Sequence, residues 1–200
     1  FQVAVHAIGD RAITSVLDAF EAALTRRPRR DHRHRIEHCE VAIDGLIDRI
    51  QSLGVLPSVQ PIFMAEFAVA YIGNLGGERA HRIYPFPEYL GRGMALAAGS
   101  DSPVSSFVPM HGVAASVTRK AWDGRELGPG QGIPVAEALR MHTRGGAFFS
   151  FEEGLKGSLA PGMLADLVVL GRDPFSAPAD ELAAIPVDMT VVGGRVAYER

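Results

Sequence analysis

Three residues share one setting in this sequence. His6 ends the run Val3-Ala4-Val5-His6, and His38 ends Arg35-Ile36-Glu37-His38. Asp101 follows the apolar run Ala95-Leu96-Ala97-Ala98-Gly99-Ser100. Each run stops at a polar side chain and then meets turn residues, the pattern of a buried strand that delivers one residue to the lip of a sheet. Two imidazoles and a carboxylate at separate strand ends form a donor set for a divalent metal, zinc first, with manganese or iron as other choices. A metal-bound carboxylate has a second use: it accepts a proton from water and passes it to a leaving amine. Singly, either histidine reads more readily as a core or loop histidine. Three such residues in equivalent places favour a ligand set.

The other polar groups lack this placement. His32 and His34 adjoin an arginine-rich loop, and His81 and His111 fall in loops or helix starts. His142 is expected to end a helix, where a cation would suit the dipole. Asp10 is placed to cap a helix. Cys39 neighbours His38 without a local sign of nucleophilicity, and strand alternation turns Glu37 away from His38. No Gly-x-Ser-x-Gly elbow and no phosphate loop is present.

The elements that must hold the three residues alternate. Strands are expected at Phe1 to Ala7, His34 to His38, Val55 to Gln60 and Met94 to Ser100. The first helix runs from Asp10 to Leu24 with Ile13, Val16, Leu17, Phe20 and Leu24 in one apolar stripe. A second covers Asp44 to Leu53 and stops at Gly54. An irregular connection with one short helix fills Pro61 to Tyr84, and a brief helix Phe86 to Arg92. Later helices follow Pro109 as far as Arg119 and start at Pro134, where proline is tolerated. The last is expected to reach His142, with Thr143 to Phe149 also helical. The tail changes character: Leu164 to Leu170 reads as a strand, and Met189 to Val192 and Arg195 to Tyr198 as a hairpin around Gly193-Gly194. Strand–helix alternation implies an α/β fold with a parallel sheet, and in a β/α barrel the C-terminal strand ends line the site.

Composition sets bounds. The 200 residues are 47% hydrophobic and 22% charged, with a net charge of -3, which is ordinary for a globular chain and gives no reason to expect nucleic acid. Arg26-Arg27-Pro28-Arg29-Arg30 reads as a solvated loop. A single cysteine excludes an internal disulfide framework. No run approaches the ~20 apolar residues of a membrane span. No signal peptide is visible, so a cytoplasmic protein is expected. The chain opens at Phe1 inside a strand-like run, and its true N-terminus is expected to lie further upstream.

The segments that carry the chemistry resemble the amidohydrolase superfamily, and within it amidohydrolase family 3, the N-substituted formamide deformylase-like proteins. The likeness runs through His6-Ala7-Ile8-Gly9-Asp10-Arg11-Ala12, Arg33-His34-Arg35-Ile36-Glu37-His38-Cys39 and Pro57-Ser58-Val59-Gln60-Pro61. It continues with Glu78-Arg79-Ala80, Tyr84-Pro85-Phe86, Gly99-Ser100-Asp101-Ser102-Pro103-Val104, the segment Lys156 to Leu170, and Thr190-Val191-Val192-Gly193-Gly194-Arg195-Val196. The resemblance implies a metal-dependent hydrolase of carbon–nitrogen, non-peptide amide bonds, with a small-molecule amide as substrate and one or two metal ions. It places the fifth-strand metal histidine on His6, the sixth-strand one on His38, and the eighth-strand aspartate, ligand and general base, on Asp101. The first-strand His-x-His pair and the bridging residue have no counterpart.

The fold implied is the C-terminal half of a (β/α)8 barrel, strands five to eight, over residues 1–153, with part of a small β-sandwich over residues 154–200. A whole barrel needs ~250 residues. The half sheet is expected to stay open, leaving the chain alone inactive and poorly soluble. Rival readings are a non-catalytic amidohydrolase-like binding protein and a hydrolase of cyclic amides or esters.

Overall fold

The computed structural model describes residues 1–43 and 45–200. Asp44, the expected start of the second helix, lies outside the described residues. Four short strands form one parallel sheet in sequence order: β1 (Ala4–Ala7), β2 (Arg35–His38), β3 (Leu56–Val59) and β4 (Ala97–Ala98). Helix α1 (Asp10–Arg26) connects β1 to β2, α2 (Leu46–Ser52) connects β2 to β3, and four short helices fill the passage from β3 to β4. These are α3 (Ile62–Glu66), α4 (Ala68–Leu75), α5 (Gly77–Ala80) and α6 (Phe86–Gly91). The single short helix expected between Pro61 and Tyr84 is therefore three. Positive φ at Gly76 separates α4 from α5, a conformation open to glycine at little cost.

The helix-covered face of the sheet carries the core. Ile36, Val59 and Ala7 are fully buried, with Val5 packed against them. The stripe on α1 buries Ile13, Leu17 and Phe20, each contributing roughly 1.5–3 kcal/mol of transfer free energy. Val3, just before β1, is 42% exposed, because β1 is an edge strand of the described sheet. Asp10 is not the cap of α1. Gly9 holds that position, and Asp10 is the first helical residue, where its carboxylate accepts from Arg11 N at 2.9 Å and pairs with Arg79 at 2.7 Å. A negative charge in the first turn still suits the helix dipole.

Past β4 the chain folds into α7 (Pro109–Thr118), α8 (Val135–Arg140), a π-helical turn over Met141–Gly145, and α9 (Gly146–Phe149). Arg33 ties this region to the start of β2. Its guanidinium lies between the Phe148 and Phe151 rings, 4.0 and 4.1 Å from their centroids, and bonds Glu153 and Asp31. The tail forms an antiparallel sheet of β5 (Leu167–Leu170), β6 (Val187–Val192) and β7 (Arg195–Glu199). Gly193 and Gly194 turn the hairpin with φ of 56° and 77°, the mirror-image turn that matches strand twist. A 3₁₀ turn over Ala179–Ala184 has no clear sequence signal; it buries Leu182, while Asp180 pairs with Lys120 at 2.7 Å. Among the described residues no helix is long and apolar enough to cross a membrane.

Candidate metal centre

In a parallel sheet all C-terminal strand ends lie on one side. His6 is the penultimate residue of β1 and His38 the last of β2, while Asp101 follows β4 by three residues. Register alone would not join the two histidines. Glu37 stands beside His6, and His38 beside Ala7, so plain alternation puts the imidazoles on opposite faces. The backbone resolves this. His38 leaves the extended region with φ of 75° and Cys39 follows at 49°. The His38 ring then meets the His6 ring edge-on, with centroids 4.4 Å apart.

A left-handed conformation is costly for these residue types, of order 1–2 kcal/mol each, and must be imposed by neighbours. Cys39 N donates to Ala7 O, Val41 N to Ile8 O, and Tyr84 N to Glu40 O, at 2.9–3.0 Å. The Glu40 carboxyl is buried and bonded by Tyr84 at 3.0 Å and by Tyr71. Burial pushes its pKa up, against the pull of the two tyrosines. Burial likewise pushes the Cys39 thiol up to about 12, so it is no nucleophile at neutral pH.

His38 is held in one tautomer. Its Nδ1 is 2.8 Å from Gln60 Oε1, while Gln60 Nε2 donates to Ser58 O at 3.3 Å. An amide oxygen only accepts, so Nδ1 carries the proton and Nε2 keeps a free lone pair. This is the arrangement that fixes metal-binding histidines. Burial lowers the His38 pKa and His6 adds to that, opposed by Gln60, Asp101 and Glu37. A neutral imidazole is what a metal requires. Gln60 falls in the segment Pro57-Ser58-Val59-Gln60-Pro61, and nothing local in the sequence marks it as the partner of His38.

The donor types fit a divalent metal. The number does not yet close: among the described residues no group of three His, Cys, Asp or Glu side chains is assembled to hold an ion. Two imidazoles are in contact, and Asp101 reaches His38 through its field. Asp101 has φ of 56°, so two of the three candidates sit on left-handed backbone. Such outliers cluster at functional sites.

A family model for the amidohydrolase family matches residues 1–198. The chain belongs to the amidohydrolase family. It is 32% identical to N-substituted formamide deformylase of Arthrobacter pascens, over 99% of this chain and 36% of that protein. Protein LONG AFTER FAR-RED 3 of Arabidopsis thaliana is 36% identical, over 98% of this chain and 34% of that one. An uncharacterized metal-dependent hydrolase from Pyrococcus horikoshii OT3 superposes with a TM-score of 0.76 at 32% identity, covering 90% of this chain and 36% of that structure. The chain thus spans little more than a third of the length of these relatives.

His32 and His34 of this amidohydrolase chain are tied into the backbone at the start of the sheet. His34 Nδ1 accepts from Val3 N at 3.1 Å, and His32 Nδ1 accepts from His34 N at 2.9 Å. His142 is not the helix-end cation expected of it. It sits inside the π-helical turn, its Nε2 buried without a partner among the described residues, and burial lowers its pKa to about 4. Since that lies below the ordinary 6.5, the stability it represents is present above about pH 6.5 and is lost as pH falls towards 4. Denaturant titration should show about 2 kcal/mol lost between pH 7.5 and 5 from this group. His142→Phe should flatten that slope, and an unchanged slope in the variant would contradict the assignment.

Proposed function

We propose that this chain is the C-terminal half of a metal-dependent amidohydrolase that cleaves a non-peptide carbon–nitrogen bond of a small-molecule amide. Residues 1–153 supply strands five to eight of the barrel, and residues 154–200 part of its companion β-sandwich. The open sheet supports this, with unpaired edges on β1 and β4. The observation that carries the reading is the His6–His38 ring contact, with His38 Nδ1 tied to Gln60. His6 and His38 through ring nitrogens and Asp101 through its carboxylate would hold the metal, zinc foremost, as one or two ions. Such a metal, when bound, polarises a carbonyl and lowers the pKa of water.

The chain's own groups do the rest. Gln60 fixes the His38 ring. Asp101 accepts a proton at its carboxylate and returns it to the departing amine nitrogen. A non-catalytic amidohydrolase-like binding protein is the second reading, favoured by the absence of an assembled three-donor group among the described residues. Hydrolysis of cyclic amides or esters is a third.

A panel of linear amides, cyclic amides and esters separates these readings when assayed on the chain joined to the remaining barrel strands. Chelator-sensitive release of amine from linear amides is expected. Ligand binding without turnover would favour the second reading, and preferential ring or ester opening the third. The 200-residue chain by itself should show no turnover and should aggregate through its two open edges. Light scattering that shows a stable monomer, together with amide turnover, would overturn the half-barrel proposal.

A further inference from the structure

Asp101 has left-handed backbone, so something must hold it there. The turn that follows is tied mostly to itself. Val104 N donates to Asp101 O at 2.9 Å, Ser105 Oγ donates to Ser100 O, and Val108 N donates to Ser106 Oγ at 3.3 Å. Ser106 Oγ also lies 3.1 Å from His111 Nδ1, at the start of α7. Among the described residues, one hydrogen bond ties this loop to the β3 side: Ser106 N donates to Glu66 Oε1 at 3.1 Å. The two residues are 40 apart in sequence.

The origin of Glu66 gives that bond its significance. Glu66 is the last residue of α3, which starts at Ile62, two residues after Gln60. Gln60 fixes the His38 imidazole. Helix α3 is five residues long and its Ile62, Phe63, Met64 and Ala65 are buried, so it is anchored in the core. The C-terminal end of α3 is anchored too, since Trp122 N donates to Ala65 O at 3.1 Å. One anchored turn of helix thus begins two residues after the residue that sets His38 and ends on the carboxylate that grips the Asp101 loop.

We propose that Glu66 is a positioning residue that fixes the Asp101 loop, and through α3 the spacing between Asp101 and His38. This rests on the metal reading above for its consequence, but not for its geometry. Glu66 touches neither candidate ligand. Its carboxylate acts as an acceptor for a backbone N–H, a charge-assisted bond of the stronger kind.

The test uses the chain joined to the remaining barrel strands, in two measurements. Hydrogen exchange across residues 100–108 should speed up about 10–100-fold in Glu66→Ala, the range for losing one bond to a charged group. Exchange in α1 should stay as it was. Glu66→Gln keeps an acceptor oxygen and should restore most of the protection. Zinc affinity, read by competition with a chromophoric chelator, should fall about 10–100-fold in Glu66→Ala, as for other residues that orient a ligand. In an Asp101→Asn background the same Glu66→Ala change should cost nothing further.

Unchanged exchange at 100–108, equal loosening in α1, or no rescue by Glu66→Gln would overturn the proposal. So would a zinc penalty that persists in full beside Asp101→Asn. If Asp101→Asn alone leaves zinc affinity unaltered, the metal reading falls and the exchange result by itself decides the role of Glu66.

Discussion

Asp101→Asn, made in the chain together with the remaining barrel strands, is expected to lower turnover about 10²–10⁴-fold, the usual range for a general base. The fold should survive. Asp101 is exposed, and its backbone contacts, such as Val104 N to Asp101 O, do not use the carboxylate. Asparagine also tolerates left-handed φ well, so the 56° at this position should persist. The amide keeps a neutral oxygen near His38 but cannot take a proton. Turnover near the unaltered level in a folded variant would remove Asp101 from the chemistry.

Arg119→Met is expected to destabilise the chain by about 3–5 kcal/mol, a large share of the 5–15 kcal/mol that holds a typical domain together. Arg119 is 1% exposed and has no carboxylate partner in its hydrogen bonds. Its Nε donates to Leu127 O at 2.7 Å, Nη2 to Ile83 O at 2.8 Å, and Nη1 to Tyr84 O at 3.2 Å. Burial lowers its pKa to about 10, and it is still a cation at neutral pH. Methionine fills similar space yet takes the donors from Leu127 O and Ile83 O, while Tyr84 O keeps Phe86 N at 2.7 Å. The surroundings are built for the guanidinium: a Cβ on Gly128 would come within 3.2 Å of Nη2 and 2.2 Å of His81 O. Because Tyr84 also grips Glu40, losing Arg119 should loosen the turn after His38. Urea unfolding measures the effect; a loss under 1 kcal/mol would show that the buried charge is not needed.

Much of the frame is legible in the sequence, and for local reasons. The stripe Ile13, Leu17, Phe20 has helical spacing, Val187 to Glu199 brackets two glycines, and each candidate ligand lies at or within three residues of the C-terminal end of a short strand. The strands prove shorter than their apolar runs; β4 keeps only Ala97–Ala98. Pairing needs a neighbour, and among the described residues β4 has one only in β3.

What the sequence hides is set by distant partners. His38 meets His6 only because the turn at residues 38–39 is left-handed, and that is imposed by Ala7, Glu40, Tyr84 and Tyr71. Arg119 satisfies itself on carbonyls, which every sequence supplies and none advertises. His142 has the spacing of a helix-end residue but a buried Nε2, a fact of packing against Gly112. Gln60 and Glu66 look like ordinary loop polars until the elements they bridge are in place.

The central claim is that His6, His38 and Asp101 form one ligand set. Zinc-edge anomalous diffraction from crystals grown with zinc tests it most directly. The account predicts a peak at about 2.0–2.2 Å from a ring nitrogen of His6, from His38 Nε2 and from an Asp101 carboxylate oxygen. Zinc bound elsewhere while these three side chains stay unligated would contradict it.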